Sequence, residues 1–143
     1  TGFNLPAPVT RLALAALGDS PARLLPMARA ALERDYAVTL YTDVCLSSLP
    51  STLEIYPLDS LSEALNWPDL LALDLPLERL PALRNMLGLQ PGDLLPCPAQ
   101  ALIWTPMPCA GLAECGACAV PSRRGYKLAC EDGPVFLLHT LEW

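Results

Sequence analysis

Four of the six cysteines lie close together near the C-terminal end of the chain, in a pattern that could bind a metal. Cys109, Cys115 and Cys118 fall within "MPCAGLAECGACAV", residues 107–120, and Cys130 follows, which gives the spacing C-x5-C-x2-C-x11-C. Three thiols this close along the chain indicate a loop wrapped around something. Under reducing conditions, clustered thiols indicate metal or redox chemistry before disulfide bonds.

Three kinds of site compete for these thiols. Zinc could take four thiolates, but zinc ribbons present two C-x2-C pairs, and only Cys115 and Cys118 form one. The same pair could be a thioredoxin-like dithiol, which would leave Cys109 without a role. A Rieske centre needs two histidines, and His139 is the only one. The spacing comes nearest to the plant-type [2Fe-2S] pattern, with one extra residue in the first interval. It favours an iron-sulfur cluster and leaves zinc and thiol redox chemistry open.

Small residues separate these cysteines. Gly111 and Gly116 can adopt positive φ, which would let backbone amides approach inorganic sulfide and offset its negative charge. Ala110, Ala113 and Ala117 would keep the rest of the loop thin.

Composition excludes several other classes of protein. With 143 residues, 52% of them hydrophobic, the chain can bury a core without disulfides. A net charge of −6 argues against a nucleic-acid partner, and the one tight basic cluster, Arg123-Arg124, is expected to be a solvated turn. No apolar run approaches the roughly 20 residues of a membrane span, so no membrane association and a cytoplasmic location are expected. "TGFNLP" at the start is typical of a linker, which suggests a piece of a longer protein.

Strands and helices are predicted to alternate before the cysteines. Apolar and β-branched runs predict strands at 10–17, 37–43, 53–58, 69–74 and 101–107. A helix should follow Ser20-Pro21, with Ser20 as its N-cap and with Pro26 distorting its first turn or delaying its start. Another should run through Leu77, Leu80, Leu83, Met86 and Leu87. This alternation predicts an α/β fold, a parallel sheet with flanking helices.

The segment after the cysteine loop predicts further strands. "YKLACEDGPVFLLHTLEW", residues 126–143, indicates two short strands around the turn signal Asp132-Gly133. The cysteine region is therefore expected to be a small β-rich segment attached to the α/β body.

The cysteine motifs carry a family resemblance. "MPCAGLAECGACAV" followed by "YKLACEDGPVF" resembles the cluster segment of dihydroorotate dehydrogenase electron-transfer subunits, where a Met-x-Cys loop precedes a Cys-x-Asp-Gly-Pro-Val-Phe turn. The body is similar to the pyridine-nucleotide half of those subunits, which belong to the ferredoxin reductase superfamily. The resemblance implies a Rossmann-type, NAD-domain-like body at 1–104, degenerate in its nucleotide contacts, and a [2Fe-2S] segment at 105–143.

The resemblance also implies a function. Cys109, Cys115, Cys118 and Cys130 would bind a [2Fe-2S] cluster that passes electrons between a flavin reductase module and a flavoprotein dehydrogenase partner. By resemblance, that partner is a dihydroorotate dehydrogenase of pyrimidine biosynthesis. FAD would be involved only through an upstream flavin domain outside this chain, and the chain would complete no active site of its own. The rival hypothesis is a zinc-stapled structural or interaction domain.

Two departures from the family pattern bear on nucleotide binding. After the first strand, the expected glycine-rich turn reads GDSPAR, residues 18–23, where Asp19 brings a carboxylate and Pro21 removes a donor. The expected Cys-Gly-Pro-x-x-Met element is replaced by LDLPLE, residues 73–78. NAD binding is therefore expected to be weak or lost.

The remaining candidates are expected to have packing roles. Cys45 and Cys97 should be buried apolar residues. His139 should lie on a strand and bind no metal. Trp104 and Trp143 should fill the core or an interface.

Overall fold

The fold is an α/β sheet of six strands with a separate two-stranded hairpin, in a computed structural model that describes residues 2–45 and 49–143. The strands are β1 (Arg11–Ala16), β2 (Ala37–Tyr41), β3 (Glu54–Tyr56), β4 (Leu70–Pro76), β5 (Ala99–Trp104), β6 (Ala119–Ser122), β7 (Gly125–Leu128) and β8 (Val135–Leu137). The large sheet has the order β3-β2-β1-β4-β5-β8, in which all neighbours are parallel except β5 and β8. The predicted α/β class is confirmed.

The central strands are apolar because both faces of the sheet are covered. Every residue of β4 is buried, and β1 is buried from Leu12 onward, as expected for parallel strands between two layers. Alternate side chains along each strand point to opposite faces of the sheet, so they form two core clusters, one on each face. The sheet is therefore a rigid platform for the loops that leave its carboxyl edge.

One face of the sheet carries a regular helix. The helix α1 (Leu25–Leu32) starts after Leu24 and has Pro26 in its first turn, so the delayed start is confirmed. The predicted N-cap was wrong: the Ser20 hydroxyl instead accepts the amide N–H of Ala22 at 3.2 Å, in a turn before the helix.

The opposite face is covered by shorter elements. A 3₁₀ turn (Leu58–Ser60) runs into α2 (Leu61–Ala64), and a longer 3₁₀ segment (Leu77–Ala82) runs into α3 (Leu83–Met86). The helix predicted through Leu77 and Leu87 is thus split, because Pro81 lacks the N–H that a continuous α-helix needs.

The C-terminal strands belong to two different sheets. β6 and β7 form a hairpin whose turn is the exposed Arg123-Arg124 pair, as expected. β8 instead pairs with β5 in the main sheet, with Ala101 opposite Phe136. The two strands flanking Asp132-Gly133 therefore do not pair with each other. No helix within residues 2–45 and 49–143 is long and apolar enough to cross a bilayer.

Gly133 is a position where only glycine fits. A Cβ atom there would lie 2.6 Å from the Phe136 ring and 3.1 Å from the Ala129 carbonyl oxygen. Because that ring is buried against β5, we expect Gly133→Ala to lower the free energy of unfolding by about 1–3 kcal/mol. Chemical denaturation measures the difference, with Gly2→Ala as the control because nothing lies within 4 Å of a Cβ atom there. Equal stability of both variants would contradict the packing described.

Candidate metal centre

The cysteine loop has an unusual backbone. Four of its residues have positive φ: Ala110 (54°), Gly111 (86°), Ala113 (58°) and Gly116 (67°). The two glycines were expected to adopt this conformation, and the two alanines were not. A left-handed alanine costs roughly 1–2 kcal/mol, so interactions elsewhere in the loop must offset the strain.

The four thiols stand in two pairs. Cys118 Sγ lies 3.3 Å from Cys130 Sγ, too far for a disulfide bond. Cys115 lies beside Cys109, where its side chain lowers the pKa of the Cys109 thiol. Cys130 also interacts electrostatically with Cys109, which links the two pairs. The turn at residue 130 thus returns to the loop around residue 115.

Backbone N–H groups near three of these sulfurs favour their thiolate forms. The amides of Gly111, Glu114 and Cys115 act on the Cys109 sulfur. The amides of Ala129 and Cys130 act on Cys118, and the amide of Ala113 acts on Cys130. The left-handed residues turn the chain so that successive amides face inward, as in the anion-binding concavities of other loops. Hydrogen bonds to a charged sulfur are stronger than neutral ones, which offsets the strain at the alanines.

The local electrostatics favour thiolates. The hydrogen bond from Cys115, followed by the amides, lowers the pKa of Cys109 to about 6. The amide of Cys130 and then its thiol lower the pKa of Cys118. The pKa of Cys130 is raised, first by its hydrogen bond with Cys118 and then by burial. Each pair thus contains one thiol that ionises readily, and the thiolate is the form that binds metals.

The donor atoms of this loop are thiols. A [2Fe-2S] cluster shares four thiolates between two irons, whereas a structural zinc site surrounds one ion with all four ligands. Among the described residues, no group of three or more His, Cys, Asp or Glu side chains is arranged to hold a metal ion. The donor set, all soft sulfur with inward amides, fits an iron-sulfur cluster.

Exposure differs across the cysteines. Cys118 is buried, Cys109 and Cys130 are half-buried, and Cys115 is exposed. The first pair therefore faces solvent, and the second faces the protein core.

Asp132 holds Cys130 in position. Its carboxylate accepts the Leu128 amide N–H at 2.8 Å, and its own N–H donates to the Leu128 carbonyl at 2.7 Å. Ala129 N–H donates to the Cys118 carbonyl at 3.0 Å, which ties the turn to the loop. The sequence analysis used Asp132 and Gly133 as a turn signal and as part of the family motif. The structure gives them roles: Asp132 closes the turn, and Gly133 leaves room for Phe136.

The other candidate residues lie outside this site. Cys45 is exposed, so the prediction that it is buried was wrong; it follows the end of β2 in a loop that leaves the sheet. Cys97 is buried as expected, and burial raises its pKa to about 11. His139 is exposed in a 3₁₀ turn (Leu138–Thr140) and not on a strand, because the chain bends away after β8.

Trp104 and Trp143 each pack against an arginine side chain. The Arg23 guanidinium lies 5.4 Å from the Trp104 ring centroid, and Arg84 lies 4.4 Å from that of Trp143. Both indoles are partly buried, in keeping with the expected packing role.

An ion pair with one fully buried partner lies at the carboxyl edge of the sheet where β1 and β4 meet. In open α/β sheets, this reversal of strand order is where ligands bind. Here the fully buried Asp74 carboxylate lies 3.0 Å from Arg23 Nε, and burial raises its pKa against the opposing effect of Arg23. The indole of Trp104 packs 3.4 Å from where a Gly18 Cβ would be. Sequence reasoning missed this pair, although an Asp inside the apolar run LLALDLP requires a buried partner.

Comparison with known proteins identifies the cysteine region. Residues 107–142 match the family model of the iron-sulfur cluster binding domain of dihydroorotate dehydrogenase B. A solved NADH-dependent reduced ferredoxin-NADP oxidoreductase, from work on flavin-based electron bifurcation, shares the fold with a TM-score of 0.69 and 19% identity. That match covers 93% of this chain and 54% of the solved chain, so the present chain spans about half its length. No curated protein matches. The resemblance in the cysteine segment and the reductase-like fold are thereby confirmed.

The thiols should differ in their pH-dependent reactivity in the metal-free protein. Because the pKa of Cys109 is about 6 and that of Cys97 about 11, Cys109 becomes a thiolate as the pH rises through 6 while Cys97 stays protonated. Alkylation by iodoacetamide between pH 5 and 8, read by peptide mass spectrometry, should increase at Cys109 and remain low at Cys97. Parallel profiles for the two residues would argue against the amide-lined loop.

Proposed function

We propose, from the match of residues 107–142 to an iron-sulfur domain, that this chain is an electron-transfer module holding a [2Fe-2S] cluster. Its ligands would be Cys109, Cys115, Cys118 and Cys130. The observation that carries the proposal is the arrangement of these thiols as two pairs with backbone amides directed at the sulfurs. When bound, the cluster supplies reversible one-electron redox chemistry.

The protein residues would perform two tasks around the cluster. The loop amides, held inward by the left-handed turns at 110–116, stabilise negative charge on the sulfurs and so influence the reduction potential. The turn closed by Asp132 keeps Cys130 beside Cys118. The chain itself makes and breaks no substrate bonds in this proposal.

The exposed side of the loop is suited to electron exchange with a partner. Cys115 is exposed, and the neighbouring Met107 and Leu112 are apolar side chains with 39% and 68% of their surfaces exposed. Apolar contact around an exposed ligand would bring a partner's cofactor close while excluding water. We assign this side to a flavoprotein dehydrogenase, of the dihydroorotate dehydrogenase type, and the other electron carrier to a separate flavin reductase module.

The body of the chain would act as a scaffold and not as a nucleotide site. The Arg23–Asp74 pair and the Trp104 indole lie at the crevice where a pyrophosphate would bind, and Asp74 already pairs with the nearby arginine. We therefore include weak or absent nicotinamide binding in the proposal.

Iron content tests the ligand set. Protein reconstituted without oxygen should contain about two irons and two acid-labile sulfides per chain and show visible absorption bleached by dithionite. Each of Cys109→Ser, Cys115→Ser, Cys118→Ser and Cys130→Ser should lose most of the iron, because serine is a harder ligand. Cys45→Ser and Cys97→Ser are the matched controls and should retain it.

Two outcomes would contradict this assignment. A colourless protein with one zinc per chain would support the zinc-stapled domain instead, because zinc has no redox chemistry. Equal loss of iron in the control variants would show that the four-cysteine set is wrong.

Titration with NADH tests the scaffold role. We expect no saturable binding at micromolar NADH, because Arg23 is already paired with Asp74 and the exposed Asp19 at the turn repels phosphate. Fluorescence or calorimetry measures the affinity, with an NADH-binding reductase as the positive control. A micromolar dissociation constant would overturn this part of the proposal and leave the cluster assignment intact.

A further inference from the structure

An open groove lies beside β2 and β3 at one edge of the sheet and reaches from the end of α1 to the segment around α2, far along the strand order from β5 and the loop that follows it. It has a volume of about 760 Å³, within the range of small-molecule sites. Its wall includes Thr39 and Tyr41 of β2, Glu54 and Tyr56 of β3, and Glu63 and Trp67 from the segment around α2. Nothing in the proposed electron transfer uses these residues.

The groove exists because this side of the sheet is thinly covered. The segment between β3 and β4 supplies only a 3₁₀ turn and the four-residue α2. β3 itself has three residues, all exposed. A longer helix at this position would have packed over β2 and β3 and filled the space.

The groove is acidic. Asp35, Glu54 and Glu63 line it, and among the described lining residues there is no Lys, Arg or His. Carboxylates that share one concave surface raise the local concentration of cations. The negative charge of the groove therefore favours a positively charged ligand.

Aromatic rings form another part of the wall of this groove. Tyr56 stacks on Tyr41 with ring centroids 5.7 Å apart, and its hydroxyl donates to a Glu54 carboxylate oxygen at 3.2 Å. Tyr36 and Trp67 also contribute to the wall. Aromatic faces next to carboxylates are the surroundings that bind organic ammonium groups.

Thr39 provides an independent observation. It is only 5% exposed and lines the groove, yet its hydroxyl oxygen has no hydrogen-bond partner among the described residues. Buried polar atoms without a partner are rare because each one costs stability. An N–H donor placed in the groove would satisfy this hydroxyl, which favours a protonated amine over a quaternary ammonium.

We propose that this groove binds a small aliphatic polyamine. Several carboxylates match several ammonium groups on one extended ligand, the tyrosine rings contact its methylene chain and charges, and the Thr39 hydroxyl accepts an N–H. The proposal is independent of the cysteine site and holds whether or not a cluster is bound.

Calorimetric titration with spermidine as the probe tests this site, at about 0.15 M salt so that diffuse charge attraction is screened. We expect saturable binding that the double variant Glu54→Gln/Glu63→Gln weakens on the order of 10-fold or more. Thr39→Val, nearly equal in shape, should weaken binding severalfold while leaving the free energy of unfolding equal or higher. The control Glu78→Gln/Glu142→Gln changes net charge equally at exposed positions that do not line the groove and should bind as the unmodified protein does.

Four results would overturn the proposal. They are no saturable binding of spermidine, equal weakening by the control pair, Mg²⁺ binding with the same sensitivity to the Glu54 and Glu63 substitutions, and tighter binding of a tetralysine peptide than of spermidine. The third would indicate a general acidic surface, and the fourth would indicate a basic protein segment as the ligand. Far-ultraviolet circular dichroism of each variant confirms that the fold is intact.

Discussion

The cysteine loop depends on how its backbone balances negative charge on sulfur, and residues 109–118 provide much of that balance. The amides of Gly111, Glu114 and Cys115 are directed at Cys109. Directing them there requires left-handed backbone at Ala110 and Ala113, which is unfavourable for alanine. The loop keeps this strained backbone because the hydrogen bonds that it permits offset the strain.

This loop depends in turn on the sheet. β5 delivers the chain to the loop, and β8 returns to pair with β5, so that Phe136 is fixed opposite Ala101. Between them, the β6–β7 hairpin ends in the turn that Asp132 closes, and this turn places Cys130 beside Cys118. A displacement of β8 would therefore separate the two halves of the site, although no cysteine lies on that strand.

Much of this arrangement could be predicted from local signals. The alternation of apolar runs predicted the α/β class, and the Cys-x-Asp-Gly-Pro motif predicted the family match of residues 107–142, whereas one joint site for all four cysteines stays a prediction. What could not be predicted depends on contacts distant in sequence. The pairing of β8 with β5 was missed, as was the Arg23–Asp74 pair, because each joins segments far apart along the chain. Other errors were local: the effect of Pro81 on the second helix was overlooked, and Cys45 was assigned to the core on its residue type alone.

A charged pair at the carboxyl edge of the sheet connects the body of the fold to the cysteine loop. A buried carboxylate such as Asp74 is tolerated only with a partner, and Arg23 supplies it while resting on Trp104. The same three side chains join the turn after β1 to the ends of β4 and β5, and β5 leads directly into the cysteine loop. These contacts therefore hold in place the strand that carries the loop, and they do so through side chains of the body alone.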